Sequence, residues 1–320
     1  MKGETSTLSI QANSSYALST TEQQHIHHLL PSLIQLIRVK QWIKNGFVFV
    51  PLLFVFGFPS FLQLYNCAIG AFLFCLVSSA VYIMNDIVDV QKDRAHPVKK
   101  NRPIASGAVP IPLAYAMIGV LLISSLLGAF YFNKTVALLI LSYFVINIAY
   151  SLFLKKLMFI DVFTISLGFI LRICAGFMIL NKNIAEPVNT WFILFVAFLT
   201  LFIGVGKRCS ELKTLGNNSS DFRESLRGCS IAQLEQIIVM LMTCTIMSYA
   251  IFVYASKIIL LYATSPVLLY GIFRYHFLNN KSDLTGSPEM IVYKDRPILV
   301  SMLVWAFLFA LICVAQSFTA

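Results

Sequence analysis

The chain is poor in charge and poorest in acid: 12% of its 320 residues are charged, and only 14 are Asp or Glu. Set beside 58% hydrophobic residues and a mean hydropathy of +0.79, so little charge excludes a disordered polypeptide and most soluble enzymes. One soluble core of this length cannot bury that much apolar surface, and the composition is that of an integral membrane protein. CxxC pairs are also lacking. Cys67, Cys75, Cys174, Cys209, Cys229, Cys244 and Cys313 fall mostly inside apolar stretches, which excludes a zinc site or a disulfide framework and reads as packing of small polarizable side chains. Nor does the chain open on an apolar run resembling a signal peptide. Residues 1–31, rich in Ser, Thr, Gln and His, read as a flexible cytoplasmic tail. His25, His27 and His28 form a weak metal tract there, and an exposed segment without a ligand is the simpler reading.

Long apolar runs, by contrast, are abundant. Nine stretches approach the roughly 20 residues a helix needs to cross the hydrocarbon: 45–63, 67–87, 112–132, 135–154, 158–180, 189–206, 235–254, 258–277 and 297–317. The fold class expected is all-α, a polytopic bundle of about nine transmembrane helices occupying 32–320. Pro51, Pro59 and Pro266 interrupt the first and eighth stretches. The basic residues sort between alternating loops. One side collects Arg38, Lys40 and Lys44; Lys92, Arg94, Lys99, Lys100 and Arg102; Lys155 and Lys156; Lys207, Arg208, Lys213, Arg223 and Arg227; and Arg274, Lys281, Lys294 and Arg296. The other has Lys134, Lys182 and Lys257. This bias places the N-terminus and long loops in the cytoplasm and the C-terminus outside. It also accounts for the net charge of +10 without nucleic acid.

Three of the few acids crowd the cytoplasmic end of the second stretch, in Asn85-Asp86-Ile87-Val88-Asp89-Val90-Gln91-Lys92-Asp93. At i, i+3 and i+7, Asp86, Asp89 and Asp93 share one helix face, and Asn85 adds a neutral oxygen four residues before Asp89. An Asp deep in a spanning helix costs about 2.5 to 3.5 kcal/mol on the insertion scale, so something positive belongs on that face. Mg²⁺ suits it, being held by one or two carboxylates together with substrate phosphates. The alternative is an acidic helix end neutralised by Lys92, Arg94 and the basic loop. A second polar cluster runs from Tyr150 through Lys155 and Lys156 to Asp161, with Arg172 eleven residues further and nearly on the same face. Intramembrane charges are functional candidates by default, the alternative being a pairing that orients helices. Lys40, Lys44, Arg102, Lys207 and Arg208 are each simple anchors alone, and together the phosphate-binding cations that an Mg-diphosphate site requires.

The NDxxDxxxD run at the end of a second span, followed by a basic loop ending in Asn101-Arg102-Pro103, resembles the UbiA superfamily of intramembrane prenyltransferases over about residues 32–316. Within it, Arg38-Val-Lys-Gln-Trp-Ile-Lys-Asn45, Asp93 through Gly107, Leu154-Lys-Lys with Asp161, Gly206-Lys-Arg-Cys-Ser-Glu-Leu212, Thr285-Gly-Ser-Pro-Glu289 and Asp295-Arg296 look most like the decaprenyl-phosphate phosphoribosyltransferase branch. A second metal motif with Asp at i+4 is absent, since Ile165 stands four residues after Asp161.

The resemblance implies a helical bundle with a polar cytoplasmic cavity holding Mg²⁺ and a diphosphate, and a lateral opening to lipid. The implied reaction moves 5-phosphoribose from phosphoribosyl diphosphate to a polyprenyl phosphate, releasing diphosphate, in a bacterial inner membrane. Asn85, Asp86, Asp89 and Asp93 would hold the metal, and Asp161 would be a further ligand through water or a ribose partner. Lys40, Lys44, Asn45, Arg102, Tyr150, Lys155, Lys156, Arg172, Lys207 and Arg208 would bind substrate. The competing reaction within the superfamily transfers a prenyl group from a prenyl diphosphate to an aromatic acceptor. A transporter would set charges near the midplane of two related halves, whereas these acids cluster at one boundary and no repeat is evident.

Overall fold

The computed structural model describes residues 31–55, 57–215, 225, 228–281 and 294–317; the tail with its histidines, Arg223, Arg227 and Thr285–Glu289 lie outside the described residues. Among these residues the secondary structure is helical without strands. The long helices are α1 (Phe61–Val88), α3 (Ile111–Phe132), α4 (Lys134–Leu152), α5 (Ile160–Ile179), α6 (Pro187–Leu215), α7 (Ile231–Ala255) and α9 (Arg296–Ser317). Two shorter ones are α2 (Val90–Ala95) and α8 (Ser265–Lys281).

Seven of these helices are long and apolar enough to cross a membrane, against nine expected stretches. The two that differ are those with proline in their interior. Residues Val39–Phe54 form a 3₁₀ helix with Pro51 inside it, and the following helix begins at Phe61, so the expected 45–63 stretch is not one α-helix. Residues Ile259–Thr264 are likewise 3₁₀, and α8 starts at Ser265 with Pro266 in its first turn, where the missing N–H costs nothing.

The described chain divides into two compact units. The first comprises the described residues up to Gln41 with Ser79–Leu121: the segment 31–37, the C-terminal end of α1, α2, the basic loop and the start of α3. Within it Ser79 Oγ donates to Ile37 O at 2.9 Å. The second comprises Trp42–Ser78 and the described residues from Leu122 onward. There Asn45 Nδ2 donates to Ser78 Oγ and Cys75 Sγ, both at 3.2 Å. Val48 lies beside Gly70. Gly176 lets the 3₁₀ segment touch α5: a Cβ there would fall on the Val48 carbonyl oxygen and within 2.9 Å of Pro51.

Two apolar clusters hold the second unit together. One joins Val162, Phe202, Val205, Leu234, Ile238, Ile272 and Tyr275 from α5 to α8. The other is aromatic, with Phe177, Phe192, Phe195, Tyr249, Phe252 and Phe309. Burying such rings contributes about 1.5 to 3 kcal/mol each, against water rather than lipid. Tyr115, Val120, Ile123, Leu127 and Tyr131 on α3 are exposed, as suits lipid contact.

Candidate active site

Asp86 and Asp93 are the buried carboxylates of the first unit, 2% and 3% exposed. The α-helix breaks between them. α1 ends at Val88 and Asp89, half-buried, stands between it and α2 as the N-cap, yet Asp89 N still bonds Asn85 O at 2.9 Å and Asp93 N bonds Asp89 O at 2.8 Å. The four-residue rhythm is therefore kept across the break, and with it the shared face of Asp86 and Asp93. Arg102 Nη1 bridges the two carboxylates, at 3.0 Å from Asp86 Oδ1 and 2.6 Å from Asp93 Oδ2. Its loop is shaped locally: His96 Nδ1 accepts from Val98 N and Lys99 N, Arg94 Nε donates to Ala105 O at 3.1 Å, and a 3₁₀ turn over Lys99–Asn101 delivers Arg102. A second cation, Arg38, bonds Asp86 Oδ1 at 2.5 Å and lies over the Tyr82 ring. Arg38 has φ +56, a left-handed conformation uncommon for a non-glycine residue. Arg38 was expected among the cytoplasmic basic residues and in the 38–45 stretch that carries the family resemblance, but not as a site residue; its place before the expected first span was the available signal.

Asp161 occupies the first turn of α5 and is 1% exposed. Arg172, eleven residues on and expected nearly on the same helix face, is not what meets it. Instead Arg208 Nε of α6 reaches Asp161 Oδ2 at 2.8 Å, Ser225 Oγ donates to the same oxygen at 3.2 Å, and Val162 N donates to Oδ1 at 2.8 Å. Arg208 Nη1 also meets both oxygens of Glu211 at 3.1 Å. Arg208, expected among the phosphate-binding cations, is thus buried in a carboxylate network. Phe159, just before Asp161, has φ +63, unusual for an aromatic residue.

Arg172 is 5% exposed and is hydrogen-bonded to neutral groups. Nε donates to Asn45 Oδ1 at 2.7 Å, Nη1 to Gly168 O at 2.6 Å and Nη2 to Tyr143 Oη at 3.0 Å, and the guanidinium lies 4.6 Å from the Tyr143 ring centroid. This clasp ties the 3₁₀ segment, α4 and α5 together; Asn45 and Arg172, expected as substrate contacts, are brought together while Asp161 is elsewhere. Lys40 and Lys156 are exposed, and Lys44, Tyr150, Lys155 and Lys207 are half-buried. Lys155 and Lys156 ride a 3₁₀ turn, Leu154–Lys156, between α4 and α5.

Among the described residues no three acidic, His or Cys side chains converge as a cage for a metal. The donor set at Asp86 and Asp93 nevertheless suits Mg²⁺: two buried carboxylates, all oxygen, whose oxygens close around a single cationic nitrogen of Arg102. A hard divalent ion that takes one or two carboxylates and completes its shell with water and phosphate fits such a pair.

Residues 47–293 match the UbiA prenyltransferase family. The decaprenyl-phosphate phosphoribosyltransferase of Mycolicibacterium smegmatis is 30% identical over 294 residues, covering 87% of this chain and 91% of that protein. Its namesake in Corynebacterium glutamicum is 31% identical over 296 residues, covering 89% and 88%. In fold, a UbiA homolog from Archaeoglobus fulgidus, solved bound to GPP and Mg²⁺, superposes with a TM-score of 0.68 at 20% identity, over 88% of this chain and all of that one. With a family match across most of its length and membrane helices to go with it, the chain is an integral membrane transferase and belongs to the UbiA prenyltransferase family.

Proposed function

We propose that the protein moves 5-phosphoribose from phosphoribosyl diphosphate to a polyprenyl (decaprenyl-like) phosphate, with release of diphosphate and dependence on Mg²⁺. The observation that carries this reading is about 30% identity, over nearly nine-tenths of the chain, to relatives named for that activity. The Mg²⁺ bound in the Archaeoglobus fulgidus homolog supports the metal.

In the proposed reaction a phosphate oxygen of the lipid attacks C1 of the ribose while the bond from C1 to the diphosphate oxygen breaks. A phosphate monoester is largely ionised near pH 7, so no general base is needed. Bond breaking is the harder half, with oxocarbenium character developing at the sugar as in other glycosyl transfers. Asp86 and Asp93, with Asp89 and Asn85 beside them, would hold Mg²⁺, whose bound charge would neutralise the leaving diphosphate. Arg38 and Arg102, already aimed at those carboxylates, would add charge-assisted hydrogen bonds to phosphate oxygens. Lys40, Lys44, Lys155, Lys156 and Lys207 would bind phosphates of either substrate, with Tyr150 beside them. Asp161, held by Arg208, would serve as a ribose partner or a water-mediated ligand, and the Asn45–Arg172 clasp would position the segment carrying Lys44. The basic loops would face the cytoplasm of a bacterial cell, in its inner membrane.

The test is incubation of purified protein with radiolabelled phosphoribosyl diphosphate, Mg²⁺ and polyprenyl phosphate, followed by extraction. Label should enter the organic phase and be abolished by EDTA. Absence of label, with alkylation of an aromatic acceptor by a prenyl diphosphate, would replace this reading with prenyl transfer.

A further inference from the structure

Where α5 ends, α6 begins and α7 ends, the second unit holds a recess of about 120 Å³. Its wall is aromatic. Phe54, Phe252 and Phe309 line it together with Leu53 and Leu261, and the Phe54 ring meets Phe252 and Phe309 edge-on at centroid distances of 5.8 and 6.2 Å. An apolar cavity of roughly 150 Å³ stays dry and takes a molecule the size of benzene, so this one suits a short stretch of hydrocarbon rather than water. Asp161 stands at the other end of α5, about 27 Å from Ile179 at 1.5 Å per residue. The recess is therefore no part of the Asp161–Arg208 site.

Its mouth is charged. Lys182 and Glu186 line it from the turn that joins α5 to α6, and neither is ion-paired among the described residues. Local structure fixes both. Asn181 takes the left-handed conformation that ends a helix, φ +53; Lys182 N closes back on Phe177 O at 2.9 Å and Asn181 N on Met178 O at 3.2 Å, the two bonds of a Schellman cap. Asn189, 2% exposed and itself lining the recess, donates through Nδ2 to Asn183 O at 2.8 Å and to Glu186 Oε2 at 3.3 Å. A cation and an anion held on one turn, not joined to each other, at the mouth of an apolar recess complement a zwitterion with a hydrocarbon tail. The ends of spanning helices lie at lipid head-group depth, where such molecules are the surroundings. A primary ammonium would give Glu186 a hydrogen-bond donor, which a trimethylated choline head lacks. We propose that this recess is a site for a zwitterionic aminophospholipid: the phosphate meets Lys182, the ammonium meets Glu186, and part of an acyl chain fills the space among Phe54, Phe252 and Phe309. The proposal holds whichever group the enzyme transfers.

The test is to titrate delipidated protein in detergent with phosphatidylethanolamine, phosphatidylcholine or phosphatidylglycerol of the same chains, following binding by native mass spectrometry and by thermal unfolding. Phosphatidylethanolamine should bind about tenfold more tightly than the other two and raise the unfolding temperature. Glu186→Gln, on an exposed position, should remove that tenfold preference, which is the size of one charge-assisted hydrogen bond, without weakening phosphatidylglycerol. Lys182→Gln should weaken all three lipids. Ala255→Leu, which enlarges a side chain lining the recess, should abolish the rise in unfolding temperature with phosphatidylethanolamine, and Glu186→Gln keeps the test decisive if the leucine disturbs the fold. Equal binding of the three lipids to the wild type, or a preference that survives Glu186→Gln, would mean lipid gathered only around the bundle and would overturn the proposal. Stabilisation by a polyprenyl phosphate but not by phosphatidylethanolamine, lost in Ala255→Leu, would give the recess to an isoprenoid tail and overturn it as well.

Discussion

An acid inside an apolar helix needs a cation against it, and Asp86, Asp93 and Asp161 are each met by arginine. The consequences differ by place. Asp86→Ala or Asp93→Ala removes half of a carboxylate pair that Arg102 bridges from a half-buried position, so the protein should still fold in detergent while transfer and its Mg²⁺ dependence vanish. Near-normal turnover in either variant sinks the metal assignment. Arg208→Met instead removes a buried cation that bonds Asp161 and should lower stability by up to about 3 to 5 kcal/mol, the range for breaking a buried ion pair. Asp161→Leu combined with Arg208→Met should recover most of that loss in thermal unfolding; if the double variant is as unstable as the single, the pair is not what holds α5 to α6. The acids themselves were legible in the sequence, because charge is rare here and Asp in an apolar run stands out. Their partners were legible only where local. Helical arithmetic put Arg172 on nearly the same face as Asp161, whereas the arginine that bonds it here lies 47 residues on, across a packing contact that no periodicity encodes.

At the scale of elements, hydropathy reading succeeded wherever a span is a plain α-helix and failed where proline changes the geometry. Pro51 sits inside a 3₁₀ segment and Pro266 in the first turn of α8, and neither conformation is visible in an apolar count. Gly176 shows how tightly the first of these is packed. Gly176→Ala would drive a methyl group into the Val48 carbonyl and the Pro51 ring, so it should destabilise by about 1 to 3 kcal/mol, the range for overpacking, and loosen the segment that carries Asn45. Unchanged unfolding would mean that the segment yields freely. α9 depends on a different local device: Asp295 caps it by accepting from Ile298 N at 3.0 Å, and Arg274 Nη2 bonds the same carboxylate at 2.9 Å. The Arg274 guanidinium, with the capped N–H, holds the Asp295 carboxyl below the usual carboxylate value. A group whose pKa is depressed by folding contributes stability above its unfolded pKa, near 4, and loses it as pH falls through the lower folded value. Unfolding between pH 3 and 7 should therefore show an acid-side loss that Asp295→Asn reduces, and an identical profile in the variant would remove Asp295 from that titration.

For the whole molecule the geometry favours nine crossings, although among the described residues seven helices meet the usual length and hydropathy. Arg38 bonds Asp86 close to the C-terminal end of α1, whereas α1 begins at Phe61, so the chain between 38 and 61 must run the length of that helix. Sixteen residues of 3₁₀ helix at about 2.0 Å each span about 32 Å, enough for a hydrocarbon core of about 30 Å that an α-helix of the same length would not cross. The same reasoning covers Ile259–Thr264 with α8. Thr264 bonds Tyr249 near the C-terminal end of α7, while Tyr275 bonds Ile203 towards the C-terminal part of α6, so the segment passes from one end of these helices towards the other. Charge agrees: were either segment not to cross, Arg38, Lys40 and Lys44, or else Arg274, Lys281, Lys294 and Arg296, would lie with the sparse basic residues on the far side. Reporter fusions after Lys156 and after Lys257 should therefore read cytoplasmic and external respectively, and a fusion at Ala320 should read external. A cytoplasmic reading at Ala320 with an external one at Lys257 would mean that 259–281 turns back without crossing, and would move the Arg274–Asp295 pair to the outer face.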